Sequence, residues 1–423
     1  MEYTVKIYPK VFRSNKRQKV QVTISGEAYD ENLPVRIRIA PQEQYAIHHS
    51  EVCSIQEGKR YAMREMTKVG PFCYEIEHDF TAETRYSVVV EVEGVFKKLI
   101  HAYALDPDLF ALRPWKGDTH LHSTASDGLE DPFAVACNYR QAGFDFIVLT
   151  DHHIMSSSVE LRKKIQELTP AFTVIRGEEV HNHSMGYFHV VNIGGSFSVN
   201  DIIETDDDFV QGELARILRE RTFDGGADPA YCAYRIFIAE QIRKGGGLAV
   251  LAHPYWPSGP DYNCQTSDLR YLFRNKDFDV LEVLAGSGKG NNGDNLQVAI
   301  WSEMCMEYGF IPLVGCSDSH TSVYGKDLFN KHFTIVFADS EADLLPAIKE
   351  GRAVAVNRRD DEDFFAFGKF RYVAYARFLM DYYFPEYCAY TEKHAALLQD
   401  GDKDAMAAYE AEIRAFQRRV FAE

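Results

Sequence analysis

Two histidines, His120 and His122, open a stretch that closes on Thr150-Asp151-His152. On a β-strand, side chains at i and i+2 share a face, so both imidazoles can reach one metal ion. Between those ends lies the acidic turn Ser126-Asp127-Gly128, followed by a helix-like segment. Alone, His-x-His reads equally well as two hydrogen-bonded histidines on a solvent edge. That reading weakens because His, Asp and Glu residues recur where later apolar runs begin or end. The full set is His120, His122, Asp127, His152, Glu179, His189, His253, Asp318 and His320. Imidazoles and carboxylates without thiolates suit Zn, Mn or Fe rather than a structural cysteine-zinc site. The set is too large for one ion and too small for three ions ligated by protein alone. It fits two or three divalent ions that share a bridging carboxylate and keep positions open for water.

Elements that could position these groups are legible around them. From Lys116 the pattern is strand, loop, helix, repeated. Candidate strands are Gly117–Ser123, Asp145–Asp151, Phe172–Val180, Phe188–Ile193, Gly247–His253, Val280–Leu284, Ile311–Ser317 and Phe333–Phe337. Candidate helices are Pro132–Ala142, Ser158–Leu168, Tyr234–Lys244 and Asp294–Tyr308. Such alternation predicts a parallel, barrel-like α/β domain with its functional groups at the C-terminal ends of the strands. Residues 1–110 read as all-β, from alternating runs such as Gln21–Ser25, Val35–Ile39 and Tyr86–Val92 with turns at Gly26, Gly70-Pro71 and Gly94. The basic run Arg13–Lys19 reads as a solvated hairpin tip. Residues 358–423 turn aromatic and helical. There Met406, Tyr409, Ile413, Phe416 and Val420 form one apolar helix face, expected to pack a hairpin or join a homo-oligomer. The barrel domain is then 111–357.

Composition narrows the class further. With 423 residues, 46% hydrophobic and 26% charged, the chain is a multidomain globular protein. It has no apolar run long enough to span a membrane. Eight scattered cysteines without Cys-x-x-Cys, and an N-terminus without a signal-like apolar core, predict a cytoplasmic protein with reduced thiols. The net charge of −17 argues against an extended grip on nucleic acid. It leaves room for a small phosphorylated substrate, since bound cations reverse the local sign.

In order, His-x-His, an acidic turn, Thr-Asp-His, Gly-x-Glu with a following His, Ala-His-Pro and Ser-Asp-x-His resemble the PHP (polymerase and histidinol phosphatase) superfamily. The resemblance spans about residues 116–356. It implies a distorted (β/α)7 barrel, here with an N-terminal β sandwich and a C-terminal helical extension, and up to three metal ions. The joined β region is similar to the branch that includes carbaryl hydrolase. By position, the resemblance implies one ion on His120, His122, Glu179 and Asp318. A second would lie on Glu179, His189 and His253, and a third on Asp127, His152 and His320. In Gly177-Glu178-Glu179 the ligand is the second Glu, with Glu178 facing the other way. His181, His183 and His189 all follow it. The family's usual offset of about ten residues selects His189, with His183 as the alternative.

Other residues have competing readings. His153 could protonate a leaving group or serve structure alone. Lys289, in Gly286-Ser-Gly-Lys-Gly290, and Lys326 could meet a substrate phosphate or be flexible surface lysines. The Gly-rich loop lacks phosphate-loop spacing, and no Gly-x-Ser-x-Gly elbow occurs. The expected function is metal-dependent hydrolysis of a phosphate ester. The same ions could instead cleave a carbamate, carboxyl ester or amide. An exonuclease on short oligonucleotides and a non-catalytic metal-binding domain are the further readings. Substrate choice is expected in loops, notably 199–233 and 264–276.

Overall fold

The computed structural model describes residues 3–26, 30–42, 62–181, 189–258, 260–286, 293–323, 327–358 and 363–421. It is a mixed α/β chain that divides into two compact units. The first comprises residues 1–112, 377–386 and 409–423; the second comprises 113–376 and 387–408. Residues of the C-terminal helices are thus divided between the units.

In the first unit the strands are β1 (Tyr3–Tyr8), β2 (Val11–Arg13), β3 (Lys16–Gly26), β4 (Val35–Pro41), β5 (Arg64–Glu65), β6 (Thr67–Gly70), β7 (Cys73–Phe80), β8 (Thr84–Val92) and β9 (Phe96–Leu105). They form a sheet ordered β1-β3-β7-β6 and a sheet ordered β2-β9-β8-β4-β5. Period-two alternation sends Val20, Val22 and Ile24 from one sheet, and Val88, Val90 and Val92 from the other, into one shared core. The basic run is not a hairpin tip: Arg13 ends β2 and Lys16–Lys19 begin β3 of the other sheet, where Arg17 pairs with Glu77 at 2.9 Å.

The second unit holds β10 (Arg113–Asp118), β11 (Phe146–Val148), β12 (Thr173–Ile175), β13 (Gly177–His181), β14 (His189–Ile193), β15 (Leu248–Leu251), the short pair β16 (Pro257–Ser258) and β17 (Asp261–Tyr262), β18 (Val280–Leu284), β19 (Leu313–Gly315), β20 (His332–Ala338), β21 (Ala353–Asn357) and β22 (Phe365–Phe367). Its main sheets run β12-β11-β10-β20-β21-β22 and β13-β14-β15-β18-β19. Inward valines from both sheets, among them Val148, Val191, Val250, Val314 and Val336, share one core with Leu344 and Ile348 of the helix Leu344–Lys349. The outer face of the second sheet packs against the helix Pro229–Lys244 through Ile236, Phe237 and Ile242. Single parallel bridges, Leu121 to Ser319 and His152 to Glu179, stitch the sheets together.

Three expectations are corrected. The sheets are mixed rather than parallel: β13/β14, β14/β15, β10/β20 and β20/β21 are antiparallel. The seven residues 182–188 are too few for a crossover between parallel strands, which needs a dozen or more. The run Phe172–Val180 is two strands in different sheets, breaking at Arg176. The presumed loops at 199–233 and 264–276 contain the helices Val199–Thr205, Asp207–Glu220 and Thr266–Arg274. Ser198 and Asp206 cap the first two of these by accepting backbone N–H bonds. At the C-terminus, Met406, Ile413, Phe416 and Val420 are buried along the helix Lys403–Val420. No helix among the described residues is long and apolar enough to cross a membrane.

Candidate metal centre

The His-x-His segment lies just past the end of β10 and is held in an extended line by its neighbours. Thr150 donates its N–H to the Leu121 carbonyl, and the N–H of Asp318 bonds the carbonyl of His120. The N–H of His122 bonds the carbonyl of Ser319. Segments following β10, β11 and β19 therefore lie side by side, bringing His120, His122, His152 and Asp318 to one end of the unit. Glu179 arrives on β13. His189 is the first residue of the antiparallel β14, paired directly with His181, so reversing the strand delivers its start to the same end.

Glu179 is buried at the centre, and its two oxygens face different partners. Oε1 lies 2.6 Å from Nδ1 of His189 and 3.2 Å from Nε2 of His253. Oε2 lies 3.1 Å from Nε2 of His120, 3.4 Å from Nε2 of His122 and 3.1 Å from Nδ1 of His152. Asp318 Oδ1 completes the second set, 3.3 Å from His120 Nε2 and 3.1 Å from His122 Nε2. A third group is more open: Asp127 Oδ2 is 3.3 Å from His320 Nε2 and 3.8 Å from His152 Nε2. All nine expected side chains thus fall into three overlapping groups, each with donor atoms mutually close enough for one ion.

These groups fit divalent cations. Two donors about 2.1 Å from one ion stand about 3 Å apart, as the donors here do. His120 Nε2, His152 Nδ1 and Glu179 Oε2 are buried without a hydrogen-bond partner and point at one another. Buried polar atoms are seldom left so, and an unplaced ion is one of the standard reasons.

Electrostatics follow from this crowding. Burial would raise the Glu179 carboxyl, yet His189, His120 and His152 hold it well below the usual carboxylate range. Asp318 is likewise lowered against its burial by His120, His122 and His253. Burial works against the charged form of His122, but the neighbouring carboxylates of Asp318 and Glu179 push it up to about 9. His152 goes the other way: burial outweighs the neighbouring carboxylates and lowers it to about 4.

Several further residues shape the centre. Asp151 accepts bonds from Ser123 N, Ser123 Oγ, Ser126 Oγ and Ser157 Oγ at 2.7–2.9 Å, fastening the turn that presents Asp127. A Cβ at Gly128 would lie 2.7 Å from the backbone of His122, so this turn needs glycine. Asp318 takes a left-handed φ of 49°, and Gly286 beside it takes 61°. Glu178 points away, as alternation requires, and accepts from Asn192, Ser198, Val199 and Asn200. His181 was legible only as one of the histidines that follow Glu179; its ring lies 4.4 Å from that of His189. Glu282 and Asn263 behind the ligands were not foreseen. A glutamate inside the buried run Val280–Leu284 was the available signal.

His153 sits at the rim with φ 59°, its Nδ1 3.5 Å from Glu204 Oε1. Lys289, Lys326 and His183 lie outside the described residues.

No family model matches the chain, and no curated protein matches it. Among solved structures it is similar to a two-domain protein from Bacteroides vulgatus, described as containing a predicted PHP-like metal-dependent phosphoesterase. Identity is 21%, over 59% of this chain and 66% of that one, with a TM-score of 0.41. It is also similar to an amidohydrolase from Chromobacterium violaceum with bound sulfate and no metal. There identity is 18%, over 58% of this chain and 99% of that one, with a TM-score of 0.36. The chain thus spans just under two thirds of the first of these.

Proposed function

We propose that the chain is a metal-dependent hydrolase of the PHP superfamily, cleaving a phosphate ester of a small substrate. In this reading the two stitched sheets of the second unit are the halves of a distorted barrel, and the first unit is a β sandwich. His120, His122, Glu179 and Asp318 hold one ion, Glu179, His189 and His253 a second, and Asp127, His152 and His320 a third. The observation that carries the proposal is Glu179, whose two buried oxygens serve two separate sets of donors. A carboxylate so placed would be shared by both ion positions.

Bound divalent ions would supply a water acidified from 15.7 towards about 7, and positive charge opposite the phosphate oxygens. The chain's own groups supply placement. His120, His122 and His253 are held rigidly by burial, so their nitrogens need no reorganisation when substrate arrives. The third group is the open one, with Asp127 and His320 both exposed to solvent, and it marks the side from which substrate enters. His153, whose ring lies 6.4 Å from that of His152, would be the group that passes a proton to the leaving group.

The test is metal analysis followed by turnover of p-nitrophenyl phosphate and bis-p-nitrophenyl phosphate, beside p-nitrophenyl acetate, with background hydrolysis subtracted. Phosphate release that chelator abolishes and Zn, Mn or Fe restores is expected. Turnover of the acetate or a carbamate alone would replace phosphoesterase with carboxyl-ester or amide hydrolase. Protein that binds no transition metal would overturn both.

A further inference from the structure

Behind the ligands lies a second carboxylate that the ion assignments leave unused. Glu282, on β18, is fully buried, and no lysine or arginine pairs with it among the described residues. Burying a carboxylate without a cation is costly unless hydrogen bonds compensate. Its two bonds both go to proposed ligands. Oε1 lies 2.9 Å from Nδ1 of His120, and Oε2 accepts the backbone N–H of His253 at 2.9 Å.

The two contacts have a common consequence. A neutral imidazole that donates from Nδ1 keeps its Nε2 lone pair free, and that nitrogen of His120 is the one facing Glu179 and Asp318. His253 begins where β15 ends, and its Nε2 faces the opposite oxygen of Glu179. Parallel pairing of Val250 with Val280 and Leu251 with Leu281 brings Glu282 alongside His253. One carboxylate therefore touches a ligand of each of two ion positions from behind, as Glu179 does from in front.

We infer that Glu282 is a positioning residue that fixes the His120 tautomer and the His253 backbone together, setting the spacing of two ion positions. This rests on the metal-centre reading above. Outer partners of metal-bound histidines govern affinity by about 10–100-fold.

The experiment uses full-length Glu282→Gln. The amide keeps the volume but offers one acceptor oxygen where two donors need one each. Expected results are affinity for Zn2+ about 10–100-fold weaker by chelator competition, an unchanged ion count at saturation, and an altered visible spectrum of the Co2+ form. Glu178→Gln is the control: Glu178 is equally buried and hydrogen-bonded but faces away, so its loss should leave Zn2+ affinity within about threefold. Should Glu282→Gln fail to fold, Glu282→Asp, which retracts the carboxylate by one methylene, gives the same reading. Wild-type affinity with an unchanged Co2+ spectrum would overturn the inference. So would loss of a whole ion equivalent, which would make Glu282 a ligand with His120 and Cys316. Wild-type protein that takes up no ion would overturn the metal centre itself.

Discussion

Replacing Gly286 by alanine tests the centre through its backbone. Gly286 has φ +61°, and a Cβ there would sit 2.6 Å from Asp318 Oδ2 and 3.1 Å from the Trp256 ring. The left-handed conformation alone costs an L-residue about 1–2 kcal/mol. Relieving the contact requires the Asp318 carboxylate to retreat by most of an ångström, about 0.8 Å short of ordinary contact as it stands. Asp318 cannot retreat freely, because Oδ1 faces His122 at 3.1 Å and its own φ is already left-handed. A displacement near 1 Å in a reacting constellation costs about 100-fold in rate. A comparable fault in ligand placement should weaken Zn2+ binding about 10–100-fold, or about 1.4–2.8 kcal/mol. Gly309 supplies the control: its φ is +86° and nothing lies within 4 Å of its Cβ position. Urea unfolding in chelator should show both variants losing about 1–2 kcal/mol. Chelator competition should show only Gly286→Ala losing affinity. If the two variants bind Zn2+ equally well, Asp318 is not a ligand in the manner argued.

Removing the more open carboxylate by Asp127→Asn should lower the ion count by one and leave the Glu179-bridged pair, which metal analysis at saturation would reveal. For the metal-free protein, the combined contribution of His122 and His152 to stability, read as the wild-type difference from His122→Ala and His152→Ala, should be largest near pH 6.5. His122, raised to about 9, contributes stability that is complete below 6.5 and lost as pH climbs towards 9. His152, lowered to about 4, contributes stability present above 6.5 and lost as pH falls towards 4. Glu179 and Asp318, both lowered, withdraw theirs only at still more acid pH. Chemical denaturation across pH 4–9 in chelator checks this, and a flat profile would contradict it. Asp151→Asn trades an acceptor of four bonds for an amide that can satisfy fewer, and should cost about 1–3 kcal/mol by the same measurement.

How much of this was legible depended on whether the signal was local. The helix start at Asp131-Pro132 was readable because a capping Asp before proline is a short-range device, yet the same device at Asp228-Pro229 was missed and that helix was expected only from Tyr234. Eight of the nine candidate ligands lie at or next to the beginning or end of a strand-like run, which is visible in sequence, and Asp127 lies on the turn that follows the first of them. Strand direction was missed although a signal for it was present. Nothing within Phe188–Ile193 says that β14 runs against β13, but the short connection before it is too few residues for a parallel crossover. The helices within 199–233 escaped because Asp206–Asp208 and Gly225-Gly226 look like loop composition. Yet Val210, Leu214 and Ile217 recur at helical spacing and are buried. Glu282 escaped because a glutamate is ordinarily read as a surface residue, and its significance lies in two partners distant in sequence.

The antiparallel β14 also bears on how one carboxylate would serve the two ion positions proposed above. In a wholly parallel sheet, each strand offers the site only the residues at its C-terminal end. Reversing β14 brings its first residue, His189, to that same end directly across from His181. The chain thereby gains an imidazole on the Oε1 side of Glu179, while β10 and β11 approach Oε2 through His120, His122 and His152. If β14 instead ran parallel, His189 would lie at the far end of the sheet, about four residues or 13 Å away. His253 would then face Oε1 alone, and that side could not complete a ligand set. The departure from a parallel sheet is thus what would let Glu179 bridge two ions in the proposed centre, where a parallel β14 would leave it a ligand of one.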